Sequence, residues 1–393
     1  MGSTGFDVCI AGGGIVGSAT AYFLAADPDF NGSVAVLEPD PSYEQAATAR
    51  SVGSIRQQFS TPINIAISQF AVRFIRHLDR YLAVDGQVPE VGFHEGGYLF
   101  LADEQAAPAR RLEYATAVGC GADLAWLGPA ELAERFPWLD TVNLEGGTLG
   151  LSGEGWLDPW ALLQAFRRKA RSLGVEYRRA AATGVEVERG RVTRVTTDAG
   201  EALGCDWLVD AAGIRAREVA ALAGVELPVF PRKRHVFVFD CREPVPGLPL
   251  TVLPEGVYVR PEGEHFITGY SPEPEDDPDC DDFELDYSRF EGLLWPLLAE
   301  RIRPFEAIRM INAWVGHYDV HPLDHNAIIG PHPERANLLV AAGFSGHGLQ
   351  QAPAVGRGLA ERVVHGDWVS LDLSPLGFER VLSGTPLAEH KVV

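Results

Sequence analysis

Gly12, Gly14 and Gly17 stand in the order G-x-G-x-x-G between an apolar run, FDVCIA, and an alanine-rich helical pattern, SATAYFLAA. A pyrophosphate group needs that order. The first glycine makes the tight turn, the second lets the backbone approach the phosphates, and the third lets helix pack on strand. Ile15 and Val16 then open a helix whose unpaired N–H groups face the anion. A second apolar run, SVAVL, ends at Glu38, 21 residues after Gly17, where a carboxylate binds ribose hydroxyls. Strand, helix, strand and acid in register predict a Rossmann-like dinucleotide site. The motif alone does not separate a nicotinamide from a flavin dinucleotide.

A second cluster lies far along the chain. In GFSGHGLQQAP, residues 343–353, Gly343, Gly346 and Gly348 surround His347 just before a helical pattern, marking a backbone that something approaches closely. After the second strand comes TARSVGSIRQQFS, residues 48–60. This small-residue loop with Arg50, Ser51 and Arg56 suits a cofactor whose ring reaches past the first βαβ unit, which favours a flavin. His317, His321 and His325 with Asp324 have the i, i+4, i+8 spacing of one helical face and invite a metal reading. Pro322 and strand-like flanks argue against a helix there, so no metal site is expected. The acidic run PEPEDDPDCDDFELD lacks the glycine and terminal Glu spacing of a calcium loop and reads as a solvated loop.

The elements that must position these groups can be read coarsely. A helix is expected over INIAISQFAVRFIRHLDRYL, a hairpin over residues 91–101, helical structure over 108–135, and a helix after Asp158 and Pro159. Residues 183–213 read as three short strands and a buried apolar strand, DWLVDAAG, that rejoins the parallel sheet. VFPRKRHVFVFD, GVYVRPEGEHFITGY and MINAWVGHYDV alternate like strands of a half-covered antiparallel sheet. With 393 residues, two domains are expected: a cofactor domain from residues 1–85, 146–225 and 325–393, and a substrate domain from 86–145 and 226–324.

A formal charge of -21 argues against a nucleic-acid or anionic-membrane partner. No apolar run reaches the roughly 18 residues of a membrane span. The five cysteines are scattered without a CxxC and suggest neither disulfides nor zinc. The start, MGSTGFDVCIAGGG, runs straight into a strand, so a cytoplasmic location is expected.

GGGIVG with Glu38, ARSVGSIRQQF, DWLVDAAG, GVYVRPEG, AWVGHYD and IIGPHPERANLLVAAGFSGHGLQQAP together resemble the D-amino-acid-oxidase superfamily of FAD enzymes, which includes sarcosine oxidase, glycine oxidase and dimethylglycine dehydrogenase. PRKRHVFVF and GFSGHGLQQAPAVGR look like a branch implicated in assembly of a respiratory complex. The resemblance implies an α/β (α+β) fold in which a Rossmann-like FAD domain interleaves with an antiparallel-sheet substrate domain. It implies FAD contacts by the N-terminal motif, by Arg50 and Ser51, by Val185, by Ala212 and Gly213, and by Trp314 and Gly316. It adds the late loop, with Gly343, Ser345, Gly346, His347, Gly348, Leu349 and Gln350.

For chemistry the resemblance implies Arg56 on a substrate carboxylate, Tyr258 as the active-site tyrosine, and His347 beside the ring. Gln350 stands where sarcosine oxidases have a carboxylate-binding lysine, and Tyr318 where glycine oxidases have an arginine. Trp314 occupies the place of a cysteine that binds FAD covalently, so FAD is expected to be non-covalent. Ile267 replaces a lysine linked to oxygen activation, which leaves molecular oxygen or an electron-accepting partner open as acceptor. The implied activity is oxidation of a secondary or tertiary amine, an N-substituted amino acid, by hydride transfer to flavin and imine hydrolysis. The alternative is a flavin-containing assembly factor that mainly binds a partner protein.

Overall fold

The computed structural model describes residues 4–387 and Glu389, so the expected domain ends at residues 1 and 393 lie outside it. Its centre is a sheet in the order Ile328–His332, Arg335–Ala342, Ala202–Asp210, Thr4–Ala11, Val34–Leu37, Glu176–Arg178. The strands Thr4–Ala11, Val34–Leu37, Glu176–Arg178, Ala202–Asp210 and Arg335–Ala342 run parallel to one another, with Ile328–His332 antiparallel at the edge. The apolar stretches VCIA, VAVL, WLV and LLVAA suit strands covered on both faces. Ala202–Asp210 therefore rejoins the parallel sheet as expected. The strands Ala182–Glu188 and Arg191–Thr197 are added to it antiparallel.

The second sheet has eight strands, in the order Ile308–Val320, Phe230–Cys241, His265–Tyr270, Val257–Glu262, Leu250–Val252, Tyr98–Asp103, Leu144–Gly150, Leu124–Leu127. All its pairings are antiparallel except that of Tyr98–Asp103 with Leu250–Val252. The mixed α/β fold is the one the sequence implied.

Two local expectations are corrected. Residues 91–101 do not form a hairpin. Gly97, at φ +84°, turns the chain into the strand Tyr98–Asp103, and His94 pairs instead with Trp156, against whose ring a side chain at Gly96 would press. Residues 108–135 are not helical throughout. The apolar LAWL forms an edge strand, Leu124–Leu127, between the helices Ala107–Gly119 and Pro129–Arg135. Asp158 caps the helix Pro159–Ser172 as expected, accepting from Ala161 N at 3.0 Å. Two further readings are adjusted. The helix expected over residues 63–82 ends at Ile75 with a separate turn at Leu78–Tyr81, and residues 183–213 hold two short strands rather than three before Ala202–Asp210.

The helix Gly348–Val364 packs on Ile15–Ala26, joining the two ends of the chain. The approach is close enough that a Cβ at Gly356 would lie 2.7 Å from the backbone of Ala19 and Thr20. In an isolated helix Gly→Ala is favourable; here it pushes two helix backbones apart. We expect Gly356→Ala to destabilise the protein by about 1–3 kcal/mol, read as a fall in melting temperature. A rise would contradict this packing.

Candidate active site

A continuous cavity of about 660 Å³ lies between the two sheets, within the range of roughly 300–1,000 Å³ typical of ligand pockets. One end is the glycine turn. Gly12 sits at φ +97°, where a Cβ would lie 2.3 Å from Ala211 O, and a Cβ at Gly17 would lie 2.0 Å from Gly12 O. Gly17 is thus a packing glycine behind the cavity wall. The helix Ile15–Ala26 opens on the cavity with no side-chain cap and no acid in its first turn, so its positive end is not neutralised from within. Thr48 Oγ1 accepts from Ile15 N at 3.1 Å. Glu38 accepts from Gly13 N and Asp40 N, each at 2.9 Å; burial raises its pKa while those hydrogen bonds lower it. Beside it, Tyr43 Oη is buried with no partner among the described residues, and burial keeps its phenol protonated. A ligand with hydroxyl and phosphate oxygens fits this end, because it supplies the acceptors that the orphan phenol and the helix N-terminus lack.

The middle of the cavity is lined by Arg50, Ser51, Ala212, Gly213 and Gly316. Arg50 donates to Val315 O at 2.9 Å and Glu44 O at 2.6 Å, and its guanidinium lies 4.5 Å from the Phe283 ring centroid. Trp314 is not on the wall: its indole donates to Arg50 O at 3.0 Å and so buttresses the loop. Val185 is corrected as well. It pairs with Val195 in the added hairpin and packs into a core cluster, while Ala181 and Ala182 border the cavity there.

At the far end Arg56, Tyr98, Tyr258, Tyr318, Arg234, His347 and Gln350 converge. Arg56 is 3% exposed. It donates from Nη1 to Gln58 O at 2.8 Å, and Nη2 lies 2.8 Å from His347 Nε2. The faces of Phe59 and Phe100 are 4.3 and 5.3 Å away. A guanidinium can only donate, so His347 Nε2 accepts and the imidazole is neutral. Burial first, and then the Arg56 charge, hold the His347 pKa well below its ordinary value. Among the described residues no carboxylate pairs with Arg56. Gln350 occupies this end, but its Oε1 accepts from Arg56 N at 2.9 Å, so it clamps the backbone that carries the arginine.

Tyr98, Tyr258 and Tyr318 are all pushed up by burial, Tyr98 to about 12, so three neutral phenols face the chamber. The Tyr318 ring covers Gly346, where a Cβ would meet it at 2.6 Å. That contact is what the glycine at φ +96° accommodates. Gly343 and Ser345 lie off the wall and shape the loop: Asp319 accepts from Gly343 N at 2.8 Å, and its carbonyl from Ser345 N at 2.9 Å. Gly348 and Leu349 line the cavity at the N-terminus of the long helix, which has no side-chain cap.

Sequence reasoning missed several residues. Glu154 is fully buried and accepts from Gln57 N at 2.6 Å, Gln58 N at 3.2 Å and Gln58 Nε2 at 2.8 Å, so it fixes the turn after Arg56. A lone glutamate between glycines in SGEGW was the only signal. Tyr98, Arg234 and Asp319 carried none beyond a polar residue in an apolar strand. The acidic run is the solvated loop expected, mostly exposed, and ion pairs tie it to the strand beneath. Arg232 pairs with Asp279, Lys233 with Asp282 at 2.7 Å, Arg234 with Asp277 at 2.7 Å and Arg215 with Asp281 at 2.8 Å, which places Asp281 and Phe283 on the cavity wall.

The family model described as "FAD dependent oxidoreductase" (DAO) matches residues 7–362. FAD-dependent oxidoreductase domain-containing protein 1 of Xenopus laevis is 39% identical, over 98% of this chain and 85% of that one. Glycine oxidase of Geobacillus kaustophilus is 26% identical, over 95% of this chain and 97% of the enzyme. In fold, the chain is similar to L-proline dehydrogenase from P. horikoshii, with a TM-score of 0.86, 24% identity and coverage of 97% and 99%.

Burial raises the Glu154 pKa to about 7 and that of Asp319 to about 6. A carboxyl raised in the fold binds protons that the unfolded chain releases. These two groups therefore penalise the fold fully above pH 7, and the penalty eases as pH falls toward ~4.5. Carboxylates with depressed values lose their contribution only below that window. The histidines His235, His317, His325, His332 and His347, held below their ordinary values by burial, act in the opposite sense below about pH 6.5. The carboxyls therefore show as a difference between proteins: from pH 8 to 5.5, with saturating FAD, the melting temperature of the wild type should rise by roughly 3–8 °C relative to that of Glu154→Gln/Asp319→Asn. An equal slope in both proteins would contradict the assignment.

Proposed function

The chain belongs to the FAD-dependent oxidoreductase family, and from that premise we propose that it oxidises the C–N bond of a secondary or tertiary amine carrying a carboxylate, an N-substituted amino acid. The observation that carries the reading is Arg56: a buried guanidinium at the chamber wall whose partners are a carbonyl and a neutral imidazole. A planar fork without a counter-anion, in a low-dielectric chamber, suits one carboxylate. Relatives support the class by their names, among them glycine oxidase and 4-methylaminobutanoate oxidase (formaldehyde-forming).

FAD, held non-covalently, supplies the acceptor for a hydride from the carbon next to the substrate nitrogen. This chain's residues do the positioning. Gly12, Gly14 and the uncapped helix they begin hold the pyrophosphate, with Glu38 and the Tyr43 hydroxyl on the adenosine side. Arg56 fixes the carboxylate, and Gln58 and Gln350 fix Arg56. Reaction needs a neutral amine, and no strong base faces it: His347 has its Nε2 lone pair committed to Arg56, and the three phenols are protonated. Catalysis then rests on orientation and on excluding water. The product imine hydrolyses on release. Molecular oxygen or an electron-accepting protein takes the electrons onward.

Anaerobic mixing of the holoprotein with N-methyl, imino and simple amino acids and with plain amines tests the proposal. We expect bleaching by carboxylate-bearing secondary amines, with kcat/KM lowered on the order of 100-fold in Arg56→Lys, which keeps the charge and loses the fork. Retained bleaching in Arg56→Lys would remove Arg56 from carboxylate recognition. No bleaching by any amine would overturn the reading in favour of a partner-binding flavoprotein.

A further inference from the structure

A second guanidinium faces the same chamber. Arg234, 8% exposed on the strand Phe230–Cys241, lies with its guanidinium carbon 5.0 Å from the Tyr318 ring centroid. Tyr318 covers Gly346, His347 follows, and His347 touches Arg56. Both arginines act on the Tyr318 hydroxyl, each opposing the effect of burial.

The hydrogen bonds of Arg234 leave one edge of the group unused. A guanidinium has five N–H donors. Nη1 spends its two on Lys233 O at 2.9 Å and Asp277 Oδ1 at 2.7 Å, and Nη2 spends one on Asp277 Oδ2 at 2.7 Å. Nε is buried without a partner among the described residues. The Nε–H and the remaining Nη2–H point the same way, and that parallel pair is the side-on fork that takes both oxygens of a carboxylate. Asp277 binds the other end and fixes the plane of the group.

We propose that Arg234 is a specificity-determining residue that receives a second carboxylate on its Nε/Nη2 edge, so that the substrate is a secondary amine bearing two carboxylates, one for each arginine. The proposal rests on the amine-oxidation reading and narrows it. Arg234 and Asp277 together are neutral. Preference for the dianion therefore comes from the direction of two parallel N–H donors and from filling an otherwise unpaired buried donor. Asp277 opposes the incoming charge and limits the affinity.

The test compares N-methylglycine with N-(carboxymethyl)glycine, which differ by one carboxylate, in anaerobic flavin reduction by the holoprotein. The expected result is a kcat/KM ratio of at least 10 in favour of the dicarboxylate. That ratio should fall below 2 in Arg234→Gln and in Arg234→Gln/Asp277→Asn. The double variant replaces the ion pair with an amide pair, so a fold upset by an unpaired Asp277 does not hide the outcome. Asp277→Asn alone, which keeps one of the two acceptors and removes the charge, should raise the ratio about threefold. A ratio near 1 in the wild type, or one that survives both Arg234 variants, overturns the role of Arg234 and leaves amine oxidation standing. Failure of both compounds to reduce the flavin overturns the proposal; if every other amine fails too, the amine reading falls with it.

Discussion

Arg56 and His347 meet where only one of them can carry a charge. Their nitrogens are 2.8 Å apart, both side chains are buried, and the guanidinium keeps its proton under all conditions a folded protein meets. The imidazole must therefore be neutral and must present its Nε2 lone pair. That contact spans 291 residues of sequence, and Gln350 adds a second bond to the backbone of Arg56. The late glycine loop is thus locked to the early arginine loop. Glu154, Gln58 and Asp319 hold the two sides in register, and the three phenols line the space left between them. If His347 were cationic, the two loops would repel and the chamber would lose its shape.

Arginines and acids meet at the cavity, where Glu38, Asp40, Glu218, Asp281 and Asp319 also form part of the wall. The chain carries -21 overall, and its cavity is lined by Arg50, Arg56, Arg215 and Arg234. Arg50 is satisfied by carbonyl oxygens, whereas Arg215 and Arg234 are paired with acids of the segment that covers the rim. Arg50 and Arg56 both keep a charge with no hydrogen-bonded carboxylate among the described residues, Arg50 in the middle of the cavity and Arg56 in the chamber. Within the chamber, an anionic group is drawn to Arg56.

The nucleotide end was legible in the sequence because its determinants are local: three glycines, two strands and an acid within about 35 residues, each with a fixed geometric duty. The chamber end was legible in its glycines and, through the family resemblance, in Arg56, Tyr258, Tyr318, His347 and Gln350. Tyr98, Arg234 and Glu154 come from three separate strands or turns, and strand register decides which side chains share a wall. The ion pairs of the acidic run were hidden for the same reason. Its composition suits a solvated loop, and nothing local announces that Arg232, Lys233 and Arg234 alternate along a strand directly beneath it. The Gly-Gly before Tyr98 looked like a hairpin turn. Its purpose is to let the chain pass the Trp156 ring and the Gly150 carbonyl, contacts that no window of neighbouring residues reveals.

The most direct measurement is a crystal structure of the FAD-loaded protein with a poorly reactive N-substituted amino acid in the chamber. The account predicts density for the ligand carboxylate within hydrogen-bond distance of the Arg56 guanidinium, with the His347–Arg56 contact retained and the ligand nitrogen among Tyr98, Tyr258 and Tyr318. A ligand bound in the chamber with its carboxylate elsewhere and Arg56 still turned only to Gln58 and His347 would contradict it.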